Sequence, residues 1–427
     1  MVGRLLRWTI FYRRYKELRW LYAAYLYADP SYDMTVIGVT GTDGKTTTCT
    51  LIAHLLQHLG KNVIMVGTNG VTINGVDVVG ISKMTSYDPM DLQKYLAMGR
   101  EAGCTYAVLE VSSHALDQWR FKKVKFSVAL LTNITAEHLD YHRTMESYAA
   151  AKQKLFRQIQ ESGKEALAVL PMDDLYGRQR AERMRFGRML SFGFNPNASV
   201  KANAVMSHPT VTDLTVECRG VEYKTTIPLL GKFNVLNVLW ALAVLSGLGF
   251  EMEGVLAWLS SYKQALGRQE HYELWGVHRY IDFAHTPKGL EVMLEFLESV
   301  SGTGRVICLF GAPGRRDPFK RPLMGNVVQS LADVIIVTDD DASTENRRHI
   351  LRDIMKWITK QEWDNYYVIP DRRQAIAFAT QIAKPGDVVL LAGKGHETVL
   401  VTNFWKKPRN EKEVLMEERK KTHPETV

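Results

Sequence analysis

One glycine-rich stretch, "GVTGTDGKTTT" over residues 38–48, constrains the fold of this chain more than any other. A β-branched run, "MTVI", leads into it, and a helical pattern that ends at Gly60 follows it. Glycines let backbone N–H groups approach phosphate oxygens, and a helix behind the loop points the positive end of its dipole at them. The glycines depart from the Walker pattern, because Val39 stands five residues before Gly44. A chance cluster, a degenerate phosphate loop and the loop of one particular ATPase group stay open at this point.

The residue types at this loop predict nucleotide chemistry. Lys45 is placed to reach terminal phosphates, and the Thr46 hydroxyl is placed to bind Mg²⁺. Glu110 ends a later strand-like run, "TYAVLEVSS", and its carboxylate suits Mg²⁺ because hard cations prefer oxygen ligands. A structural glutamate in a capped turn is the alternative for Glu110.

The stretch "TNITAEHLDYH" and the helical pattern behind it hold three further candidates. His138 and His142 are four residues apart among acidic neighbours, and Lys152 follows in the helical pattern. Two histidines at this spacing suggest zinc, but no third ligand stands at a familiar distance. A surface or packing role is the alternative for each of these residues.

The order of strand and helix patterns predicts an α/β fold. The runs "KNVIMVGT", "TYAVLEVSS" and "FSVALLTNIT" continue the alternation after the loop, as in a mostly parallel sheet whose ligands gather at the carboxyl ends of the strands. Five more strand-like runs begin near residue 267 and predict a Rossmann-like domain. We therefore predict a basic aromatic amphipathic helix over 1–33, a central P-loop ATPase domain over 34–266 and a C-terminal Rossmann-like domain over 267–427.

Composition excludes several classes of protein. The four cysteines are scattered without a C-x-x-C pair, which argues against zinc and disulfide frameworks and favours the cytoplasm. The net charge is +8, and residues 1–30 carry six Lys/Arg against two Asp/Glu. Their aromatic, basic helix could lie in the inner face of a membrane, or it could pack its aromatics on the next domain. No nucleic-acid partner is expected, since no RNP, zinc or helix-turn-helix pattern is present.

The ordered set of motifs resembles the Mur ligase superfamily, most closely its UDP-MurNAc-dipeptide ligases, which add the third residue of the peptidoglycan stem. The matching segments span roughly residues 35–400, and they are "GVTGTDGKTTT", "MTSYDPMDLQ", "EVSSHALDQWR", "TNITAEHLDYH", "AAAKQKLF", "GKFNVLNV", "LGRQE", "DFAHTPKGL", "RRDPFKRPLMG" and "GKGHE". The resemblance identifies the glycine-rich stretch as that family's own phosphate loop. Asp43 stands where the family commonly has Asn.

The resemblance implies a role for each matching residue. It implies catalysis by Lys45, Glu110, His138 and Lys152. It implies ATP binding by Gly41, Thr42, Asp43, Gly44, Lys45, Thr46, Thr47, Asn234, Asn237, Arg268 and Asp282. It implies metal binding by Thr46, Glu110, His138 and Lys152, the last as a carbamate formed with CO₂. It implies muramoyl-peptide binding by Thr85, Ser86, Ser112, Gln118 and Arg120. It implies a site for the incoming amino acid at Arg316, Asp340, Asp341, Ser343, Gly393 and Glu397.

These roles imply an ADP-forming amide ligase of peptidoglycan precursor synthesis, with ATP, two Mg²⁺ ions and CO₂ as cofactors. ATP would phosphorylate a muramoyl-peptide carboxylate, and an amino acid would attack the acyl phosphate. Two alternatives stay open. One is a ligase of the same mechanism that acts on another γ-glutamyl, polyamide or lipid-linked acceptor. The other is a non-catalytic, membrane-associated scaffold that binds nucleotide.

Two departures from the family pattern give further expectations. Typical members carry a uridine-nucleotide-binding domain before the phosphate loop, and we expect that domain to be missing here, which puts recognition of a free UDP-sugar in doubt. Members that add diaminopimelate have D-N-P-R at positions 340–343, whose arginine binds the distal carboxylate. This chain has D-D-A-S there, so the sequence favours lysine or ornithine over diaminopimelate.

Overall fold

The computed structural model describes residues 10–422 except 81–84, 136, 164, 175–177, 180–182, 265–266, 361–363, 396, 398, 403–404 and 409. At residues 10–17, 140, 400–408 and 419–422 it describes the backbone alone. The chain divides into two compact units. Unit 1 consists of Met1–Val205, Asp213–Ile227 and Asn234–Tyr262. Unit 2 consists of Met206–Thr212, Pro228–Phe233 and Lys263–Val427. The predicted boundary at residue 266 assigns the two short segments of unit 2 to the central domain instead.

The sheet of unit 1 has eleven strands within the described residues. They are β1 (Thr35–Thr40), β2 (Val63–Gly67), β3 (Gly70–Ile73), β4 (Val76–Val79), β5 (Tyr106–Glu110), β6 (Val128–Leu131), β7 (Leu167–Pro171), β8 (Arg188–Gly193), β9 (Val200–Ser207), β10 (Thr212–Cys218) and β11 (Val221–Ile227). Their order across the sheet is β11-β10-β9-β8-β7-β6-β1-β5-β2-β3-β4. Strand β1 lies between β5 and β6 and is parallel to both.

The helices of unit 1 cover the sheet and its edges. They are α1 (Ile10–Leu26), α2 (Lys45–His58), α3 (Pro89–Glu101), α4 (Ser113–Asp117), α5 (Leu139–His142), α6 (Met145–Glu161), α7 (Lys232–Gly247) and α8 (Met252–Leu256), with short 3-10 helices at Pro30–Asp33 and Leu259–Ser261. Among the described residues, no helix combines the length and the apolar character needed to span a bilayer. Residues 1–9 of the predicted N-terminal helix lie outside the described residues.

The register of the central strands brings the carboxyl ends of β1, β5 and β6 to the same edge of the sheet. Val39 lies opposite Glu110 across the β1–β5 pair, and Thr40 lies opposite Leu131 across the β1–β6 pair. All three strands are buried at these ends, since their apolar side chains face helices on both sides of the sheet. The polar residues that follow each strand therefore meet at the same edge.

Unit 2 is built on a six-stranded sheet. Its strands are β12 (Glu270–Leu274), β13 (Val277–Asp282), β14 (Val306–Phe310), β15 (Val334–Val337), β16 (Tyr366–Val368) and β17 (Val388–Ala392), in the order β12-β13-β17-β14-β15-β16. All neighbours are parallel except β12 and β13. The helices of this unit are α9 (Pro287–Ser301), α10 (Lys320–Leu331), α11 (Arg347–Met355), α12 (Arg372–Ile382) and α13 (Glu411–Thr422). An antiparallel hairpin joins β18 (Val399–Thr402) to β19 (Trp405–Pro408).

The predicted fold class is confirmed, because both units carry mostly parallel sheets covered by helices. The hairpin of β3 and β4 is a feature that the sequence analysis missed. Its turn is Asn74-Gly75, and both residues have positive φ angles, 50° and 81°. Asn-Gly is the strongest short signal for a two-residue hairpin turn, so the pattern was present in the sequence.

Candidate active site

The phosphate loop of unit 1 has no room for side chains at two glycines. Gly41 has a φ of 155°, and a Cβ there would lie 1.7 Å from the Thr132 Oγ1. Gly44 has a φ of 77°, and a Cβ there would lie 2.2 Å from the Trp240 ring and 2.4 Å from the Asn237 Oδ1. Glycine is thus required at both positions, for backbone conformation and for space.

Polar groups that follow β6 hold this loop in place. The Asn133 Oδ1 accepts hydrogen bonds from the backbone N–H groups of Thr42 (3.1 Å) and Asp43 (2.9 Å). The Thr132 hydroxyl donates to the Asp43 carbonyl at 2.8 Å. The Asp43 carboxylate accepts a hydrogen bond from the Thr135 hydroxyl at 3.4 Å. These bonds join the loop after β1 to the loop after β6 and fix where helix α2 begins.

Helix α2 starts directly behind Gly44, which occupies its N-cap without a side-chain cap. The backbone N–H groups of its first turn, including those of Lys45, Thr46 and Thr47, have no partner within the helix, so this end is suited to an anion. The Lys45 ammonium lies across the loop and donates to the carbonyls of Gly41 (3.0 Å) and Thr42 (2.6 Å). An anion bound in the loop would therefore meet both a cation and free N–H donors.

A carboxylate faces the first turn of α2. The Thr46 hydroxyl donates to the Glu110 Oε1 at 2.9 Å. The Glu110 Oε2 accepts from the backbone N–H and the hydroxyl of Thr68, at 2.9 and 3.0 Å. A Cβ at Gly67 would come within 2.7 Å of the same oxygen, so the chain passes close to the carboxylate. Glu110 is buried, and these bonds fix its orientation. Thr68 is a contributor that the sequence analysis missed, since it follows a strand with no motif around it.

Lys152 lies beneath the loop and is 2% exposed. Its ammonium donates to the Gly41 carbonyl at 2.5 Å and lies 4.4 Å from the centre of the Tyr148 ring. Burial, with a further contribution from the nearby Lys45 charge, lowers the pKa of Lys152 well below its usual range. The Tyr148 hydroxyl hydrogen-bonds to the Thr42 hydroxyl at 3.0 Å. Lys152 thus touches the loop from the side opposite the solvent.

The two predicted histidines have different surroundings. His138 has a φ of 55° and sits at the start of α5 with its side chain 45% exposed, beside the Glu137 carboxylate (3.6 Å). Its ring contacts the rings of His114 and Tyr148, the tyrosine that also contacts Lys152. His142 is buried, and its Nε2 hydrogen-bonds to the Ser113 hydroxyl at 3.1 Å. Burial lowers the pKa of His142, which suits a packing role for this ring.

Two buried asparagines of helix α7 lie behind the loop. The Asn237 side-chain NH₂ donates to the Asn234 Oδ1 at 2.7 Å. The Asn237 Oδ1 accepts from the Thr48 hydroxyl at 3.4 Å, and that hydroxyl also donates to the Gly44 carbonyl at 2.8 Å. The structure thus brings both asparagines to the base of α2, close to the loop.

A polar cluster continues from Glu110 along the same edge of the sheet. The Ser86 hydroxyl donates to the Glu110 carbonyl at 3.0 Å and accepts from the backbone N–H of Ser112 at 3.0 Å. The Arg120 guanidinium donates to the Ser86 carbonyl at 2.8 Å and, through its NH2 group, to the Gln118 Oε1 at 2.8 Å. Thr85 precedes Ser86 and is half-buried. The structure therefore groups four of the five residues predicted to bind the muramoyl peptide, and the fifth, Thr85, is the chain neighbour of Ser86.

Unit 2 holds the predicted nucleotide contacts Arg268 and Asp282. Asp282 ends β13, and its carboxylate accepts from the backbone N–H groups of Gln269 (2.9 Å) and Ala284 (2.7 Å). Burial raises the pKa of this carboxyl, although the Arg268 charge and the two hydrogen bonds oppose the rise. The Arg268 guanidinium lies 5.1 Å from the centre of the Phe283 ring.

A buried ammonium organises the predicted amino-acid site of unit 2. The Lys394 Nζ donates to the Asp341 Oδ1 at 2.6 Å and to the Glu397 Oε2 at 2.7 Å, and it lies 3.4 Å from the Asp340 Oδ1. The three carboxylates lie close enough together to resemble a cation site, within 4.8 Å of one another. Although burial opposes the charge of Lys394, these carboxylates raise its pKa. The backbone at Gly393 has a φ of 111°, and a Cβ there would lie 3.1 Å from the Asp340 Oδ2.

The remaining predicted residues of this site are less enclosed. Ser343 has a φ of 53°, in the left-handed region, and follows the buried Ala342. Arg316 is exposed on the loop that leads to α10. Its neighbour Arg315 is bonded to Thr344 at 2.7 Å through the guanidinium Nε, so the two loops are tied together near Ser343. Lys394 was missed as a residue of this site, although it lies in the "GKGHE" motif.

A second buried pair supports the carboxylate cluster. The Arg372 guanidinium donates to the Glu411 Oε1 at 2.5 Å and to the Ala392 carbonyl at 2.7 Å. It also reaches the Asp339 carbonyl at 3.4 Å. Helices α12 and α13 are therefore joined to the ends of β15 and β17, where Asp340 and Gly393 follow. No local pattern predicts this pair, because its members are 39 residues apart.

Replacing Gly44 with alanine tests the phosphate loop. The Cβ would clash with Trp240 and Asn237, and the left-handed backbone would be strained by roughly 1–2 kcal/mol. We expect ATP affinity, measured by calorimetry, to fall about tenfold or more. Gly60→Ala is the matched control, because Gly60 has a φ of 74° at the other end of α2 and no atom within 4 Å of its Cβ position. Equal affinities in the two variants would contradict the close approach as the cause.

Comparison with known protein families gives two matches. The Mur ligase middle domain matches residues 39–245, and the Mur ligase, glutamate ligase domain matches residues 267–395. The UDP-N-acetylmuramoyl-L-alanyl-D-glutamate–2,6-diaminopimelate ligase of Parabacteroides distasonis is 37% identical over 373 residues, which are 87% of this chain and 75% of that protein. The ligase of the same name from Synechococcus elongatus is 40% identical over 377 residues, 88% of this chain and 74% of that protein.

Solved structures agree with these matches. A UDP-N-acetylmuramoyl-L-alanyl-D-glutamate–2,6-diaminopimelate ligase superposes with a TM-score of 0.69 at 29% identity, covering 91% of this chain and 79% of that chain. Mycobacterium tuberculosis folylpolyglutamate synthase complexed with ADP gives a TM-score of 0.70 at 17% identity, covering 92% and 94%, which is a likeness of fold alone. The chain therefore belongs to the Mur ligase family of ATP-dependent ligases, and it is similar to that family's UDP-MurNAc-dipeptide ligases.

Proposed function

We propose that this protein joins an amino acid to the carboxylate of a muramoyl dipeptide, in an ATP-dependent step of peptidoglycan precursor synthesis. One observation supports this most. Within unit 1, the carboxylate and the carbonyl of a single residue, Glu110, connect the two halves of the site. Its side chain bonds to Thr46 beside the phosphate loop, and its carbonyl bonds to Ser86 in the polar cluster. A nucleotide phosphate and a polar acceptor would therefore meet at the end of β5.

The residues at this position fit a divalent cation. The Thr46 hydroxyl and the Glu110 carboxylate supply the hard oxygen ligands that Mg²⁺ prefers. Lys152 does not fit as an ammonium, but addition of CO₂ to its neutral amine would give an anionic carbamate with two oxygens. Burial of Lys152 and the nearby Lys45 charge disfavour its charged form. Mg²⁺ at such a site would offset charge on the transferred phosphoryl group. His138 completes the proposed set from the rim.

The acceptor is proposed to bind at the polar cluster. Arg120 brings a cation to that cluster, and the Gln118 Oε1 accepts hydrogen bonds from its guanidinium and fixes its orientation. A guanidinium in a fixed plane suits a carboxylate of the acceptor peptide. Ser112 presents its hydroxyl 3.1 Å from that of Ser86, which suits the backbone of a short peptide.

The reaction would proceed in two steps that these groups support. An oxygen of the acceptor carboxylate attacks the γ-phosphorus of ATP, the bond to the bridging oxygen breaks, and ADP leaves with that electron pair. The neutral amine of the amino acid then attacks the acyl carbon, phosphate leaves, and the amine proton passes to solvent. Lys45 would stabilise the negative charge that develops on the phosphoryl oxygens. Exclusion of water from the acyl phosphate would favour amide formation over hydrolysis.

We further propose a cationic amino acid without a second carboxylate, such as lysine or ornithine. The carboxylates of Asp340, Asp341 and Glu397 lie 3.4, 2.6 and 2.7 Å from the Lys394 ammonium, so these four side chains together carry a net negative charge. Ser343 stands at the position where a diaminopimelate-adding member has its arginine. A cationic side chain would be attracted to this cluster, whereas a distal carboxylate would be repelled by it. The relatives named above are diaminopimelate ligases, so this preference would be a departure within the family.

Lys152→Arg tests the carbamate. Arginine keeps the positive charge but cannot form a carbamate at neutral pH, because it stays protonated. We expect kcat to fall by about a hundredfold or more. Bicarbonate would raise the activity of the natural protein after CO₂ removal and leave that of the variant unchanged. Lys154→Arg is the matched control, since Lys154 is two positions away and an arginine there would keep the positive charge that pairs with Asp117 (2.8 Å). Full activity of the Lys152→Arg variant would contradict the proposed carbamate on Lys152.

Product mass tests the proposed function and its amino acid together. UDP-MurNAc-L-Ala-D-Glu, ATP, Mg²⁺ and bicarbonate would be supplied with lysine, ornithine or diaminopimelate, and products would be analysed by mass spectrometry. We expect ligation of lysine or ornithine at a kcat/KM at least about tenfold above that for diaminopimelate, a difference of about 1.4 kcal/mol. Ser343→Arg should narrow this difference by supplying a partner for the distal carboxylate.

Two results would count against these proposals separately. Preference of the natural protein for diaminopimelate would refute the amino-acid assignment and leave the ligase intact. No product with any amino acid, from protein that still binds ATP, would refute the muramoyl-dipeptide acceptor.

A further inference from the structure

Helix α1 is fixed to the protein by one face. Trp20, Ala23 and Ala24 are buried at helical spacing, with Ala23 fully covered, and the helix packs against α3. The Arg19 guanidinium donates to the Asp88 carboxylate, the N-cap residue of α3, at 2.8 Å. The docked face is therefore both apolar and tied by an ion pair, so the position of the helix is set by the fold.

The opposite face of the same helix is apolar and exposed. It consists of Leu18, Leu21, Tyr22, Tyr25 and Leu26, and we call it the α1 stripe. Leu18 is 65% exposed and Tyr25 is 84% exposed. The spacing of i, i+3, i+4, i+7 and i+8 is typical of a helix face that contacts an apolar surface. Five large apolar side chains on one exposed face are more than scattered surface residues, which are usual in soluble proteins.

The net charge of the N-terminal segment indicates which kind of surface the α1 stripe contacts. The N-terminal thirty residues carry six Lys/Arg and two Asp/Glu, so the segment that bears the α1 stripe has a net charge of +4. Two copies brought together at this stripe would repel each other, whereas an anionic bilayer would attract it. Tyrosine side chains favour the headgroup level, where an apolar ring and a polar hydroxyl are both accommodated.

We propose that the α1 stripe seats this protein on an anionic phospholipid surface, with α1 lying in the plane of the membrane interface. The docked face keeps the helix on unit 1 while the exposed face enters the headgroup region. Such seating would hold the ligase beside the membrane. This inference goes beyond the proposed function and does not depend on the identity of the acceptor.

Vesicle co-sedimentation of the full chain tests this proposal. Vesicles of phosphatidylglycerol with phosphatidylcholine would be compared with vesicles of phosphatidylcholine alone. We expect binding to the anionic vesicles that weakens as salt is added. In the double variant Tyr22→Glu with Tyr25→Glu we expect the apparent affinity to fall about tenfold or more, because two charges would enter the interface. Val76→Glu is the matched control, since Val76 is 67% exposed on the hairpin of unit 1.

A second variant guards against a folding defect. Leu21→Ser with Tyr25→Ser adds no charge, and both double variants should unfold at the same temperature as the natural protein and keep its ATP affinity. The proposal is overturned if the natural protein does not bind anionic vesicles or if it binds both vesicle types equally. It is overturned as well if the folded double variants bind anionic vesicles as tightly as the Val76→Glu variant does. It is also overturned if sedimentation shows a dimer that the double variants lose, because a second copy would then cover the stripe. None of these measurements requires a ligase substrate.

Discussion

The close approach of the loop after β1 to the loop after β6 is the constraint on which the rest of unit 1 depends. Gly41 passes so near Thr132 that the position excludes any side chain, and Asn133 then accepts the N–H groups of Thr42 and Asp43. This contact fixes the start of α2, which in turn sets Thr46 against Glu110. The same glycine presents its carbonyl to Lys45 and to Lys152 from two sides. A single backbone position thereby organises the groups that we propose for phosphoryl transfer.

The two units each bury a lysine, and their surroundings move the two pKa values in opposite directions. Lys152 contacts a carbonyl and a ring, and burial lowers its pKa. Lys394 contacts three carboxylates, which overcome burial and raise its pKa. The physical difference is the presence of paired charge, since desolvation acts against both ammonium groups. We therefore propose different chemistry for them: Lys152 would react as an amine, and Lys394 would remain a cation that orders the proposed amino-acid site.

The sequence predicted the fold class and the main strands well, because short buried runs and glycine turns are local signals. Glycines 41 and 44 and the position of Glu110 at a strand end follow from the same local reasoning. The orientation of the Glu110 side chain could not be predicted locally, because it is set by Thr68, which is 42 residues away. The Arg372–Glu411 ion pair could not be predicted for the same reason, since its members are 39 residues apart. No sequence pattern predicts the left-handed backbone conformation of His138. The contacts of its ring depend on how α5 packs against α6. The roles of the site residues stay predictions until chemistry is measured.

The central claim is that ATP activates the acceptor carboxylate as an acyl phosphate at the end of β5. The most direct measurement uses a muramoyl dipeptide with oxygen-18 in the reacting carboxylate and follows the released phosphate by ³¹P NMR. The account predicts that each phosphate formed together with amide product carries one labelled oxygen, taken from the acceptor. Amide product accompanied by unlabelled phosphate would contradict it, because the carboxylate would not have attacked the γ-phosphorus of ATP.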